Sequence, residues 1–138
     1  MKNGKPLAGR NDLSNLAVGP LAPLTALAQW CGWCWAQGAD GKWQPSPVKA
    51  TAPDRPASAD DPETWCDYGT ALAAAQARNV DGIAFVLTPA DPFIAMDLGD
   101  CRHPRTRSID IWAQNFLDVT RELTRKRRHR VMASQSGV

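Results

Sequence analysis

Two acidic residues stand at the end of an apolar run in the second half of the chain. The segment FIAMDLGDC, residues 93–101, delivers Asp97 and Asp100 from the end of a β-prone stretch. A charge at the end of a buried strand is unusual, and carboxylates there can hold Mg²⁺ or Mn²⁺ against phosphate oxygens. The alternative is that both acids only cap a turn. Asp97 and Asp100 are therefore the first candidates for catalytic and metal-binding residues.

A second pattern with chemical potential is Cys31-x-x-Cys34, within QWCGWCW. A thioredoxin-type pair lies at a helix N-terminus, where the helix dipole lowers the thiol pKa. Here a strand-like segment and an Asp40-Gly41 turn follow instead. Zinc usually needs four ligands, and the other candidates form no second pair of this spacing: Cys66, Cys101, His103 and His129. We expect inward-packed strand cysteines, with thiol chemistry and zinc binding as alternatives.

The bulk properties are those of one modest domain. The chain has 138 residues, of which 43% are hydrophobic and 22% are charged. It contains no apolar run long enough to span a membrane, and its first residues lack the apolar region of a secretory signal. The sequence therefore predicts a cytoplasmic protein with reduced cysteines and no membrane contact.

The hydrophobic pattern predicts an α+β fold with an antiparallel hairpin flanked by helices. A helix is expected from Asp67 to Asn79, after a proline-rich, irregular connection over residues 44–62. The apolar runs 82–87 and 93–98 are separated by a turn, which favours a hairpin.

A last helix is predicted over residues 108–123, with Ser108 as its cap. Its apolar residues share one helical face. They are Ile109, Trp112, Ala113, Phe116 and Leu117.

A series of motifs runs in a fixed order through this region. They are Asp81-Gly82-Ile83, Phe85-Val86-Leu87-Thr88, Asp91-Pro92-Phe93, Asp97-Leu98, Cys101-Arg102, Pro104, Ile109 and Trp112-Ala113. Their order and spacing resemble the N-terminal part of the bifunctional DNA primase/polymerase (prim-pol) family, in the archaeo-eukaryotic primase superfamily. Upstream, QWCGW, DGKW and PASADDPETW fit the opening strand, turn and loop of that family. The resemblance covers residues 24–119.

The resemblance implies template-directed synthesis of a primer or DNA strand. It implies a DNA template and nucleoside triphosphates as partners, a helicase domain or protein as a further one, and Mg²⁺ or Mn²⁺ as cofactor. The catalytic acids of the family form an Asp-x-Asp pair, in which Asp97 matches the first acid and Gly99 occupies the second position. Asp100 can serve only if the strand has already turned. Arg102 is expected to hold phosphate.

The end of the chain departs from the family pattern. Residues 125–130, RKRRHR, carry five positive charges, and removing them from the net charge of +2 leaves 2 − 5 = −3. Clustered Lys and Arg neutralise phosphates, so this tail predicts nucleic-acid contact, with a solvated end as the alternative. The residues concerned are Arg125, Lys126, Arg127, Arg128 and Arg130.

A frameshift would explain this departure. The family continues with a strand and a motif like Tyr-x-Glu-x-Ser-Pro-Ser-Gly-x-Gly, which this chain lacks. Moving the reading frame back by one nucleotide over 124–133 permits Tyr-Ala-Glu-Glu-Ala-Pro-Ser-Gly-Asn-Gly. The sequence thus predicts a leader over 1–23, a partial prim-pol domain over 24–119 and a basic tail over 120–138. A non-catalytic fragment that binds nucleic acid through this tail is the alternative function.

The nucleotide sequence across codons 115–138 tests the frameshift hypothesis. We expect a single-base shift to restore the Pro-Ser-Gly-Asn-Gly motif and a continuing open frame. An early stop codon or unrelated residues in the shifted frame would show that the hypothesis is wrong.

Overall fold

The computed structural model has two units, Met1–Val86 and Leu87–Val138. It describes the backbone of residues 4–7, 13–127 and 130–136, and the side chains of this set up to residue 121. Helices occur beside an antiparallel four-stranded sheet, which confirms the predicted α+β class. No helix in the described ranges combines the length and the apolar character needed to cross a bilayer.

The first unit is built on the four-stranded sheet. Its strands are β1 (Trp30–Gln37), β2 (Trp43–Lys49), β3 (Ala52–Pro56) and β4 (Gly82–Phe85). They lie in the order β3-β2-β1-β4, with every neighbouring pair antiparallel. The helical elements are α1 (Tyr68–Gln76) and short 3-10 helices at Leu13–Ala17, Ala22–Ala26 and Pro62–Thr64.

Trp30 joins α1, β4 and one of the 3-10 helices to β1. Its side chain is 3% exposed, and its indole N–H donates to the carbonyl of Leu24 at 3.0 Å. The rings of Tyr68 and Phe85 each lie 5.2 Å from its ring. Its backbone also exchanges two hydrogen bonds with Cys66. One aromatic residue thus packs α1, β4 and a 3-10 helix onto the sheet.

Two glycines allow a close approach between β1 and its neighbours. Gly82 lies opposite Trp33 in the β1–β4 ladder, and a Cβ on Gly82 would lie 2.3 Å from the indole Nε1 of Trp33. A Cβ on Gly32 would lie 2.6 Å from Cγ1 of Val80. Neither position has room for a Cβ, so both glycines are needed for this close packing.

Asp81 fixes the start of β4 against β1. Its carboxylate accepts the backbone N–H of Trp35 at 2.9 Å and pairs with the Lys5 ammonium at 3.0 Å. Burial by itself would raise the pKa of Asp81, but the Trp35 hydrogen bond and the Lys5 contact together hold that pKa below its usual value. The first residue of the Asp-Gly-Ile motif is therefore also structural.

The proline-rich region forms two strands, so its predicted irregular structure is wrong. The carbonyl of Pro47 accepts the N–H of Ala57 at 3.1 Å and so faces the β3 side of β2. Because backbone groups alternate along a strand, the missing N–H groups of Pro45 and Pro47 face the same side. The β3 pairing starts only at Val48. The prolines therefore remove no hydrogen bond between β1 and β2.

Helix α1 begins where the sequence predicts. The Asp67 carboxylate accepts the N–H of Thr70 at 2.7 Å and its hydroxyl at 3.0 Å, which is an N-cap. The buried helix residues are Tyr68, Ala71 and Ala74. The Tyr68 hydroxyl donates to the carbonyl of Leu13. Tyr68 therefore links α1 both to Trp30 of β1 and to the segment that precedes the sheet.

The second unit contains β5 (Phe93–Gly99), α2 (Ile111–Arg127) and β6 (Arg130–Ser136). The two strands are parallel, with Asp97 opposite Ser134. The predicted hairpin between 82–87 and 93–98 is wrong, because β4 pairs with β1 whereas β5 pairs with β6. The local pattern indicates two strands and a turn, but it does not encode which partner each strand takes. The fit of Trp33 onto Gly82 favours the long-range pairing of β4.

Helix α2 starts three residues later than predicted, and Ser108 is not its cap. Residues Ile109 and Arg102 form an antiparallel bridge, which keeps this segment extended. The first helical hydrogen bond runs from Gln114 N–H to the carbonyl of Asp110. Ala113 is fully buried, and Ile109 and Leu117 pack beside it. Two other residues of the predicted face are exposed, Trp112 and Phe116.

Gly82→Ala tests the close packing of β1 and β4. The added methyl group must displace the indole of Trp33, so we expect a loss of about 1–3 kcal/mol in the free energy of unfolding, measured by chemical denaturation. Gly99→Ala is the control in another strand, because a Cβ there meets nothing within 4 Å. Equal effects of the two substitutions would contradict this account.

Asp67→Ala tests the N-cap and its pH dependence. The Thr70 N–H and hydroxyl lower the pKa of Asp67, so its stabilisation is present above the ordinary pKa of 3.8 and is lost as pH falls through the folded-state pKa. We expect a lower Tm for the variant at neutral pH and convergence with wild type at acidic pH. Asp54→Ala, which removes an exposed carboxylate of β3, should leave the Tm difference small at every pH.

Candidate functional site

The burial of Leu98 sets the direction of the acidic side chain before it. Leu98 is 8% exposed and packs with Cys101 and Ala113. Because side chains alternate along a strand, Asp97 and Gly99 lie on the other face of β5. Asp97 is exposed there. The strand therefore presents the first predicted acid to solvent, away from the α2 packing.

Gly99 lies on the same face as Asp97. A Cβ on Gly99 would have nothing within 4 Å. Gly99 is also not among the glycines with positive φ, so neither space nor backbone conformation requires a glycine here. In the prim-pol family, which this sequence resembles, this position carries the second acid. In this chain it has room for a side chain.

Asp100 begins the turn that follows β5. Its φ is 52°, in the left-handed region that Asp tolerates better than most residues. The alternation of a strand no longer applies at this residue. The chain has therefore already turned at Asp100. The exposed carboxylate of Asp100 is not confined to the face of β5 opposite Asp97.

The carboxylates of Asp97 and Asp100 are the oxygen ligands that Mg²⁺ and Mn²⁺ prefer. Within the described part of the chain, no group of three or more His, Cys, Asp or Glu could hold a metal ion. Mg²⁺ is often bound by one or two carboxylates, with substrate phosphates and water as the other ligands. Asp97 and Asp100 could therefore serve only as part of an open site that substrate phosphates and water complete, and the described residues form no closed structural metal site.

Arg102 follows the two acids at the base of a loop. It is half-buried and forms the antiparallel bridge with Ile109. Cys101 anchors this base, since it is fully buried and its carbonyl accepts the N–H of Asp110 at 2.8 Å. The loop continues through Arg105 and Arg107, which were not among the site residues predicted from the sequence. The signal for them is the run of three arginines without an acid from 102 to 107.

The basic tail falls largely outside the described residues. The backbone of Arg125, Lys126 and Arg127 belongs to α2, and that of Arg130 to β6. The side chains of these residues, and the whole of Arg128 and His129, lie outside the described set. Nucleic-acid contact through the tail stays a prediction.

The Cys-x-x-Cys pair lies within β1. Residues three apart in a strand point to opposite faces, so Cys31 and Cys34 do not converge on one ligand. Burial raises the pKa of the Cys31 thiol. Burial also raises the pKa of Cys66, and the Asp67 charge adds to this. Because thiolate is the reactive and metal-binding form, these features favour packing over thiol chemistry or zinc binding.

Comparison with known proteins gives a partial relative. No protein-family model matches the chain. The chain is similar to the DNA primase-polymerase of Nitratiruptor phage NrS-1, with 29% identity over 109 residues. The match includes 79% of this chain but spans only 14% of that protein's length. This similarity supports a relationship, over part of the chain, to the prim-pol family.

Proposed function

We propose that residues 24–119 correspond to the opening part of a primase-polymerase domain whose reaction is nucleotidyl transfer from a nucleoside triphosphate. The observation that carries the proposal is the exposed Asp97 at the end of β5, followed by a turn at Asp100. The similarity to the phage DNA primase-polymerase supports it. A DNA template and nucleoside triphosphates are the proposed partners of the complete domain.

In this proposal Asp97 and Asp100 hold the divalent metal ion, and Arg102 contacts phosphate. A bound Mg²⁺ or Mn²⁺ would neutralise the triphosphate charge and stabilise the attacking and leaving oxygens. Asp97 contributes a carboxylate on a strand whose position is fixed by the burial of Leu98. Arg102 contributes a positive charge from a base that Cys101 anchors.

This chain departs from the pattern of the prim-pol family at two places, and we expect both to lower activity. Gly99 occupies the position of the second acid of the Asp-x-Asp pair, and residues 124–133 do not match the later motif. We therefore propose that the chain binds metal and nucleotide weakly and polymerises poorly as it stands. Binding is thus a better test of the site than polymerisation.

Asp97→Asn tests the site through Mn²⁺ binding in the presence of a non-hydrolysable nucleoside triphosphate analogue, followed by electron paramagnetic resonance. We expect affinity to fall roughly tenfold, because one charged oxygen ligand is lost. Asp118→Asn is the matched control, since it removes an exposed carboxylate of α2 and should leave affinity unchanged.

Gly99→Asp completes this test in the opposite direction. The new carboxylate enters open space on the face of Asp97, so we expect Mn²⁺ affinity to rise by about tenfold without a change in fold by circular dichroism. Unchanged affinity in both Asp97→Asn and Gly99→Asp would overturn the proposed metal site.

A further inference from the structure

The loop between β5 and α2 is strongly basic. Residues 102–107, RHPRTR, include three arginines and one histidine, with no acidic residue. All of them except Arg102 are exposed. The loop begins two residues after Asp100, so its charge lies close in sequence to the candidate metal ligands. A basic segment of this density in a described part of the molecule requires its own explanation.

Backbone hydrogen bonds close this loop. The His103 N–H donates to the carbonyl of Ser108 at 2.9 Å, and the Arg107 N–H donates to the carbonyl of His103 at 2.9 Å. The bridge between Arg102 and Ile109 forms its base. These bonds give the loop a defined conformation, which lowers the entropy lost when its side chains bind a ligand.

The ring of His103 organises the middle of the loop. Its Nδ1 accepts the backbone N–H groups of Arg105 and Thr106, each at 3.3 Å. Arg107 has a φ of 61°, an uncommon conformation for a residue with a side chain. Such a conformation persists only when surrounding contacts hold it. The contacts of His103 therefore position both arginines.

Arg105 and Arg107 make no ion pair with any residue whose side chain the structure describes. This differs from Lys5, which pairs with Asp81. The acids that flank the loop in sequence, Asp100 and Asp110, likewise form no ion pair with a described side chain. The two guanidinium groups are thus presented to solvent with their hydrogen-bond donors unused by this set.

We propose that Arg105 and Arg107 form a phosphate-binding site. A guanidinium group binds phosphate oxygens through two parallel hydrogen bonds and stays charged at any physiological pH. The phosphate belongs either to a nucleic-acid backbone or to a nucleoside triphosphate, since both offer the same chemistry. The choice of these ligands rests on the proposed function, but binding is measured without metal and without catalysis.

The double variant Arg105→Gln/Arg107→Gln tests the site by fluorescence anisotropy of a labelled single-stranded oligonucleotide. Each lost phosphate contact should reduce the slope of log affinity against log salt by about 0.7, so the double variant should lose about 1.4. Binding of the nucleoside triphosphate is measured separately and directly, by isothermal titration calorimetry without metal. Loss of oligonucleotide binding alone assigns the loop to a nucleic-acid backbone, and loss of triphosphate binding assigns it to the triphosphate.

Arg55→Gln/Arg78→Gln is the matched control, because it removes two exposed arginines of the first unit and the same net charge. The basic tail is identical in all variants, so its contribution is common to them. Arg105→Lys/Arg107→Lys should retain part of the binding. If the Gln double variant keeps wild-type binding and salt dependence, the phosphate site is refuted. Mn²⁺ binding at Asp97 separately reports the proposed function.

Discussion

The candidate site depends on the burial of Leu98 in a small apolar cluster. Leu98 packs with Cys101 and Ala113, and the last two are fully buried. Strand alternation then directs Asp97 outward. The same packing holds Cys101 at the base of the loop formed by residues 102–107, where its carbonyl accepts the Asp110 N–H. A small apolar cluster therefore positions both the acids and the positive charges that follow them.

Two motif residues of the first unit, Asp81 and Gly82, have structural roles. Gly82 allows the indole of Trp33 to lie against the backbone, and Asp81 ties the start of β4 to β1 through the Trp35 N–H. A motif shared with an enzyme family need not be catalytic at each position. The candidate site residues lie in the short segment from Asp97 to Arg102.

Two patterns of reactive residue types have different roles because their surroundings differ. Cys31 is buried in a sheet, where low polarity favours the neutral thiol and raises its pKa. Asp97 is exposed near the end of a strand, where a carboxylate does not pay the cost of burial in an apolar environment. The buried, apolar environment that suits a packed thiol disfavours a charged carboxylate. Residue type and spacing favoured packed cysteines but left thiol chemistry and zinc binding open as alternatives.

The sequence by itself determined the elements that depend on local signals. Asp67 caps α1 because its carboxylate reaches a nearby N–H, and the apolar runs around β4 and β5 form strands. It also placed Asp97 at a strand end. Tertiary structure decided the partners of those strands, the extended conformation of residues 108–110 and the strands formed in the proline-rich region. These features depend on contacts between residues far apart in the chain, such as Gly82 with Trp33, and local propensity carries no information about them.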